Sequence, residues 1–279
     1  MKSQQGATAP LITSPVEAAR AHSAQKGIHV EGLSHRFIGG LLAVKEAAFD
    51  VAAGEFVVIV GPSGCGKTTI LNIIAGLEAL QSGSVSVAGR PPEAGRFDIA
   101  YMFAQDALLP WRTVLGNVLF GVEVRSPGGQ IPPRVLEEAR ELIEMVGLSG
   151  FEDAYPRQLS HGMRQRTALA RTFLMPSPVL LMDEPFGALD AHTKLKLEQG
   201  LIRLWERDKR TVLFITHDLA EAIALADKIL VCRARPGSIK CEIPIDMPRP
   251  RNVGALQNDT KYREYHRQIW NELSSEMTI

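Results

Sequence analysis

Nine consecutive residues, Gly61-Pro62-Ser63-Gly64-Cys65-Gly66-Lys67-Thr68-Thr69, have the composition of a phosphate cradle. They fit the pattern G-x-x-x-x-G-K-[ST], whose glycines let backbone N–H groups turn inward and approach phosphate oxygens with no Cβ in the way. In this pattern Lys67 reaches the β- and γ-phosphates of a nucleotide and the Thr68 hydroxyl ligates Mg²⁺. Cys65 stands at a free position, where only its backbone is required. A second group lies further along, in Val179-Leu180-Leu181-Met182-Asp183-Glu184-Pro185. An acidic pair closing an apolar strand is placed where open α/β sheets bind ligands. Asp183 is suited to hold Mg²⁺ through water, and Glu184 to polarise an attacking water.

Strands and helices must bring these segments together. Phe56 to Val60 is a continuous apolar run of β-branched character, the pattern of a strand buried on both faces. The glycine loop follows it, and the apolar spacing of Thr68 to Leu80 fits a helix whose N-terminus adds favourable partial charge for an anion. Val179 to Met182, Val212 to Ile215 and Ile229 to Val231 read as further buried strands, giving a parallel α/β core. Before them, Ile28 to Val30 and Ala47 to Val51 flank the Gly39-Gly40 turn as antiparallel strands. Asp106 to Met175 has a different texture. Pro132 and Pro133 open an amphipathic helix that Gly147 stops, and a second helix runs from about Gly162 to Leu174, ended by Pro176. Beyond Arg233 the chain turns Pro-rich, and a short helical end spans Tyr262 to Leu273.

Charge and composition exclude several classes. The 31 basic residues balance 31 acidic ones, which argues against nucleic-acid binding through a bulk positive field. Hydrophobic residues make up 45% of the chain, enough for a large core, yet no run approaches the 18 apolar residues of a membrane span. Cys65, Cys232 and Cys241 have no metal-ligand spacing and suggest neither a disulfide framework nor a zinc site. Residues 1–27, rich in Ala, Ser, Gln and Thr, read as a disordered leader. The expected setting is reduced and cytoplasmic.

Leu159-Ser160-His161-Gly162-Met163-Arg164-Gln165-Arg166 is similar to a family signature, Leu-Ser-Gly-Gly followed two residues later by Gln-Arg. With the phosphate loop before it and the acidic strand after it, the chain resembles the ATP-binding subunit of ABC transporters over about residues 28–235. The resemblance implies an α/β fold, a P-loop NTPase core of ABC type with an antiparallel β subdomain and an inserted α-helical subdomain at about residues 106–175. The ATPase domain would span 28–240 and a C-terminal extension 241–279. It also implies ATP and Mg²⁺ as cofactors and a head-to-tail homodimer that sandwiches two ATPs. In that dimer Ser160 and Gly162, at a helix start, contact the γ-phosphate bound by the other copy. Asp190, in Gly187-Ala188-Leu189-Asp190, crosses the dimer interface. His217 matches the switch histidine that senses the γ-phosphate and orients water, and Phe37 occupies the place of the aromatic that stacks on adenine.

Two positions depart from the family pattern. His161 stands where the first signature glycine is usual, bringing a Cβ, a ring and a titratable group close to a phosphate site. In Phe103-Ala104-Gln105, Ala104 takes the register of the family's Mg²⁺-coordinating glutamine, and Gln105, one residue late, is the residue expected to bring its amide to Mg²⁺ or water by a local shift. Leu108-Leu109-Pro110-Trp111 and Arg235-Pro236-Gly237-Ser238-Ile239 look like the nitrate, sulfonate and taurine importer group. The implied partners are two transmembrane permease subunits, and through them a solute-binding protein, at the cytoplasmic face of a bacterial inner membrane. The competing readings are a non-transport ABC ATPase, a regulatory module that binds ATP without turnover, or an importer subunit for another solute such as a thiamine precursor.

Overall fold

The computed structural model describes residues 27–277; the expected leader lies outside this range, Gly27 apart. Two sheets form. β1 (Ile28–Arg36) pairs antiparallel with β2 (Leu42–Val51) and with β4 (Ser82–Val87), in the order β2-β1-β4. The larger sheet has the order β5-β6-β7-β3-β8-β9. Its strands are β3 (Phe56–Val60), β5 (Ile99–Met102), β6 (Val179–Asp183), β7 (Thr211–Ile215), β8 (Lys228–Arg233) and β9 (Ser238–Pro244). All pairings among β3, β5, β6, β7 and β8 are parallel, and β9 closes the edge antiparallel to β8.

Alternation along the central strands divides the core in two. Phe56, Val58 and Val60 of β3 enter one cluster with Leu180, Met182, Val212 and Phe214. Val57 and Ile59 enter the other with Leu181, Leu213, Ile215 and the apolar side of α1 (Lys67–Ile74). The antiparallel sheet covers that second face. On the first face sit α5 (Ala191–Asp208), α6 (Leu219–Leu225) and the three helices inserted between β5 and β6: α2 (Val114–Arg125), α3 (Pro133–Met145) and α4 (His161–Leu174). None of the described helices is long and apolar enough to cross a membrane.

The buried strands and the two inserted helices read from apolar spacing stand where expected. The helix after the phosphate loop is shorter than its spacing suggests. It stops at Ile74, with Ala75 as C-cap, because Gly76 adopts φ +74° and lies so close to Glu93 and Ala94 that a Cβ there would overlap their backbone. β4, β5 and β9 are additions, and β9 runs across the 240/241 division. The C-terminal residues are packed rather than loose. α7 (Thr260–Met277) buries Tyr262, Ile269 and Leu273 in the first cluster. Arg251, itself buried, donates to the carbonyls of Ile223 (3.0 Å), Ala224 (3.3 Å) and Ala226 (2.6 Å) at the end of α6. It also reaches Ile245 O and Met247 O. The carbonyls of Ile223, Ala224 and Ala226 are those a helix terminus leaves without partners, so one guanidinium ties the extension to the core.

Candidate nucleotide site

β3 delivers the chain into the phosphate loop and α1 carries it away, as the motif requires. Gly64 (φ +78°) and Gly66 (φ +87°) both hold left-handed backbone, and Gly66 packs so tightly on β2 that a Cβ would stand 2.9 Å from Ala43 O. The first N–H groups of α1 lack intrahelical partners and face out of the loop's helix end, which suits an anion. Lys67 is buried, and its Nζ donates to Gly61 O (2.9 Å) and Pro62 O (3.0 Å). Thr69 is buried in the same turn, while Ser63 is exposed on the loop.

The acidic strand end meets this loop. Thr68 Oγ1 donates to Asp183 Oδ2 at 2.8 Å, placing two hard oxygen donors side by side, the ligand type Mg²⁺ takes. Burial holds the Asp183 carboxyl above its usual range and the Glu184 charge adds to this, while Thr68 and Lys67 oppose both. Glu184 has φ +46°, a strained value for a residue with a side chain, fixed by its N–H donating to Ile215 O at 3.0 Å. That backbone turn aims the carboxylate at β7's end, where His217 Nδ1 lies 3.1 Å from Glu184 Oε2. His217 is anchored by its neighbour. Asp218 caps α6 through Ala220 N–H (2.7 Å) and accepts from Lys194 Nζ (2.6 Å).

Gln105 joins the group. A cavity of about 450 Å³ is lined by Thr68, Asp183, Tyr101, Phe103, Ala104 and Gln105. The tyrosine hydroxyl donates to Asn72 Oδ1 at 2.8 Å, and its ring stacks at a tilt on Phe103 with centroids 4.4 Å apart. Phe37 lies in the β1–β2 turn, 39% exposed, with its ring edge-on to His35 at 4.8 Å.

The remaining sequence-derived residues form a separate surface. Ser160 caps α4, accepting from Met163 N–H at 3.3 Å, and Gly162 faces Ala188 O and Leu189 Cδ2, each 3.5 Å from its Cβ position. Asp190 caps α5 through Thr193 N–H (3.0 Å), and that backbone bond, first of its causes, holds the carboxyl below its usual range. No hydrogen bond between Ser160, Gly162 or Asp190 and the phosphate loop occurs among the described residues. His161 is exposed, 3.8 Å from Asp106 Oδ2, which accepts from Arg164 Nε at 2.9 Å.

Two functional supports escape a reading by motif. Gly237 braces the loop from outside: it accepts from Lys45 N–H (2.7 Å), donates to Ala43 O (2.9 Å), and a Cβ there would lie 2.0 Å from Cys65 O. Its sequence signal, a place in Arg235-Pro236-Gly237-Ser238-Ile239, resembles the importer group but says nothing of the loop it braces. Lys194 ties the cap of α6 to α5, bonding Asp218 and Glu221 together. Spacing from Asp190 gives no hint of that.

A family model described as ABC transporter matches residues 44–187. An uncharacterized ABC transporter ATP-binding protein of Methanocaldococcus jannaschii is 45% identical over 236 residues, covering 84% of this chain and 85% of that one. The aliphatic sulfonates import ATP-binding protein SsuB of Bacillus subtilis is 43% identical over 202 residues, covering 72% and 77%. The dimeric structure of a bacterial ABC transporter cassette superposes with a TM-score of 0.72 at 31% identity, covering 79% of this chain and 100% of that chain. A post-hydrolysis state of that cassette, dimeric and bound to ADP and Pi, gives 0.72 at 30% identity with the same coverage. Family match, fold and site geometry agree: the chain belongs to the ABC transporter family and is one of its ATP-hydrolysing cassettes.

Proposed function

We propose that this ATPase powers uptake of a small anion or organosulfur compound, such as a sulfonate, nitrate or taurine. The observation that carries the reading is the identity to two aliphatic sulfonates import ATP-binding proteins, 43% in Bacillus subtilis and 41% in Bacillus licheniformis. The cassette works as a head-to-tail homodimer on two permease subunits at the cytoplasmic face of the membrane, fed by a solute-binding protein. Trp111, 71% exposed beside the Gln105 loop, is available to meet a permease helix.

In the catalytic cycle Lys67 leaves the carbonyls of Gly61 and Pro62 and turns to the β- and γ-phosphates of ATP. Residues 61–69 hold the phosphates through backbone N–H groups, Pro62 shaping the turn without a donor of its own, and Phe37 packs against the adenine. Thr68, Asp183 and Gln105 would hold Mg²⁺, which would supply positive charge to the phosphate oxygens. Glu184 accepts a proton from the attacking water, and His217 orients that carboxylate. Ser160, Gly162 and Asp190 come from the second copy and close the site over the γ-phosphate. Nucleotide drives the machine because it binds the open and closed dimers with different affinity.

The test is a binding panel on the partner solute-binding protein with taurine, alkanesulfonates, nitrate and thiamine precursors, beside copurification of the cassette with a multispanning membrane protein. Binding of a sulfonate, taurine or nitrate supports the substrate class. Failure of all of them, with a thiamine precursor bound, overturns it. Absence of any membrane partner favours a non-transport ATPase.

A further inference from the structure

Cys65 and Cys232 are 167 positions apart in sequence, yet the fold sets them against each other beneath the phosphate loop. Cys232 is the penultimate residue of β8, whose parallel pairing with β3 runs it alongside the strand that feeds the loop. Its Sγ lies 3.3 Å from the Cys65 carbonyl oxygen. Gly61 separates the two side chains: a Cβ at that residue would stand 2.8 Å from Cys232 Cβ and 2.9 Å from Cys65 Sγ. A side chain at Gly61 would crowd both cysteines, and the bare glycine lets their thiols interact. Both cysteines are fully buried, and Lys67 Nζ stands 3.6 Å from Cys65 Sγ. Cys241, by contrast, belongs to the opposite face of the sheet, packing against the first cluster while Cys65 and Cys232 lie in the second.

We propose that Cys65 and Cys232 form a reversible intrachain disulfide under peroxide and so switch off the nucleotide site. The chemistry takes two steps. The Cys65 thiolate attacks one peroxide oxygen, the O–O bond breaks, and sulfenic acid and hydroxide result. The Cys232 sulfur then attacks the sulfenic sulfur, forming the S–S bond as the S–O bond breaks, and its proton leaves with the departing hydroxide as water. Hydrogen peroxide is the oxidant and is reduced to two waters. Contact with the Cys232 thiol, aided by the Lys67 charge, draws the Cys65 thiol down against burial, while the same contact and burial push Cys232 up. A low attacking thiol beside a protonated partner is the arrangement this sequence of steps uses. Reduced-compartment thiols of this kind act as sensors rather than staples.

A bond between these sulfurs draws the Cys65 backbone toward β8, and that backbone is part of the phosphate cradle. Peroxide treatment of the purified full-length protein is expected to cost the mass of two hydrogens, to give a linked peptide pair containing Cys65 and Cys232, and to lower ATPase by at least about tenfold, restored by dithiothreitol. Cys232→Ser and Cys232→Ala keep untreated ATPase and give no linked peptide, and peroxide leaves their Cys65 at the sulfenic acid, which dimedone labels. Cys241→Ser responds as the native chain does. The proposal is overturned if peptide mapping of the native chain finds Cys65 and Cys232 unlinked once activity is lost, or finds them linked while activity persists. Mass mapping reads the bond independently of turnover, so failure of the importer reading leaves this test intact.

Discussion

His217 Nδ1 lies 3.1 Å from Glu184 Oε2, joining the ends of two adjacent parallel strands, β6 and β7. The contact makes one unit of two residues 33 positions apart. Glu184→Gln is expected to lower ATP hydrolysis by about 10²- to 10⁴-fold while nucleotide binding persists, as loss of a general base does. His217→Ala falls in the same range. Residues acting as a unit are not additive, so the double variant loses no more than Glu184→Gln alone. Steady-state ATPase on the three proteins decides this, and multiplying losses would mean independent roles.

Asp183 carries a conflict between folding and function. Its folded carboxyl binds a proton more tightly than the unfolded one, because burial disfavours the charge. Stability therefore falls as pH rises from the unfolded carboxylate range through the raised folded value. Asp183→Asn removes the buried charge, so the nucleotide-free variant melts above the native protein at neutral pH while Mg²⁺-dependent hydrolysis is lost. A melting point at or below the native one would show that the Thr68 bond outweighs desolvation.

Glu198, buried beside Glu221 and Lys194, gives a second titration with a stated window. Burial, aided by Glu221, lifts its carboxyl from 4.5 to about 8. Folding takes up a proton between those values, so the native chain loses stability as pH rises through them, by about 1.4 kcal/mol per unit of displacement at most. Glu198→Gln flattens that slope. Its advantage in urea unfolding is largest at pH 8 and above and shrinks toward pH 4.5.

Gly237→Ala probes the outer brace of the phosphate loop. The added methyl would sit 2.0 Å from the Cys65 carbonyl oxygen, so backbone must move. Nucleotide affinity, followed with a fluorescent ATP analogue, is expected to weaken by about tenfold or more, with far-ultraviolet circular dichroism unchanged. Unaltered affinity would mean that the loop absorbs the displacement.

Arg251→Met leaves the carbonyls of Ile223, Ala224 and Ala226 without the guanidinium that serves them. A cost of about 2–4 kcal/mol in denaturant unfolding is expected from the stranded acceptors. A loss below about 0.5 kcal/mol, the level of an ordinary surface change, would mean that water replaces the arginine.

What the sequence made legible was what is contiguous. The phosphate loop needs nine adjacent residues, and Asp183 and Glu184 follow directly on their strand, so type and order suffice. β4 escaped because Ser82-Gly83-Ser84-Val85-Ser86-Val87 lacks an apolar run, and its place is set by pairing with β1. β5 has only four residues, too few to display a period. The overlong helix came from apolar residues beyond Ile74 whose spacing continues although Gly76 has already turned the chain. Gly237, Lys194 and the facing of Cys65 and Cys232 depend on approach through space between distant segments. No local pattern encodes those.

β3 sits between β7 and β8 in the sheet, and Gly237 presses on the loop from beyond both. A ribosome releases β3 some 150 residues before either flanking strand, and Gly237 later still. The growing chain thus carries its ATP motif without either flanking strand until β7 and β8 have been made. A nucleotide site built this way needs segments more than 150 residues apart, so binding reports that β3, β7, β8 and the Gly237 turn have come together.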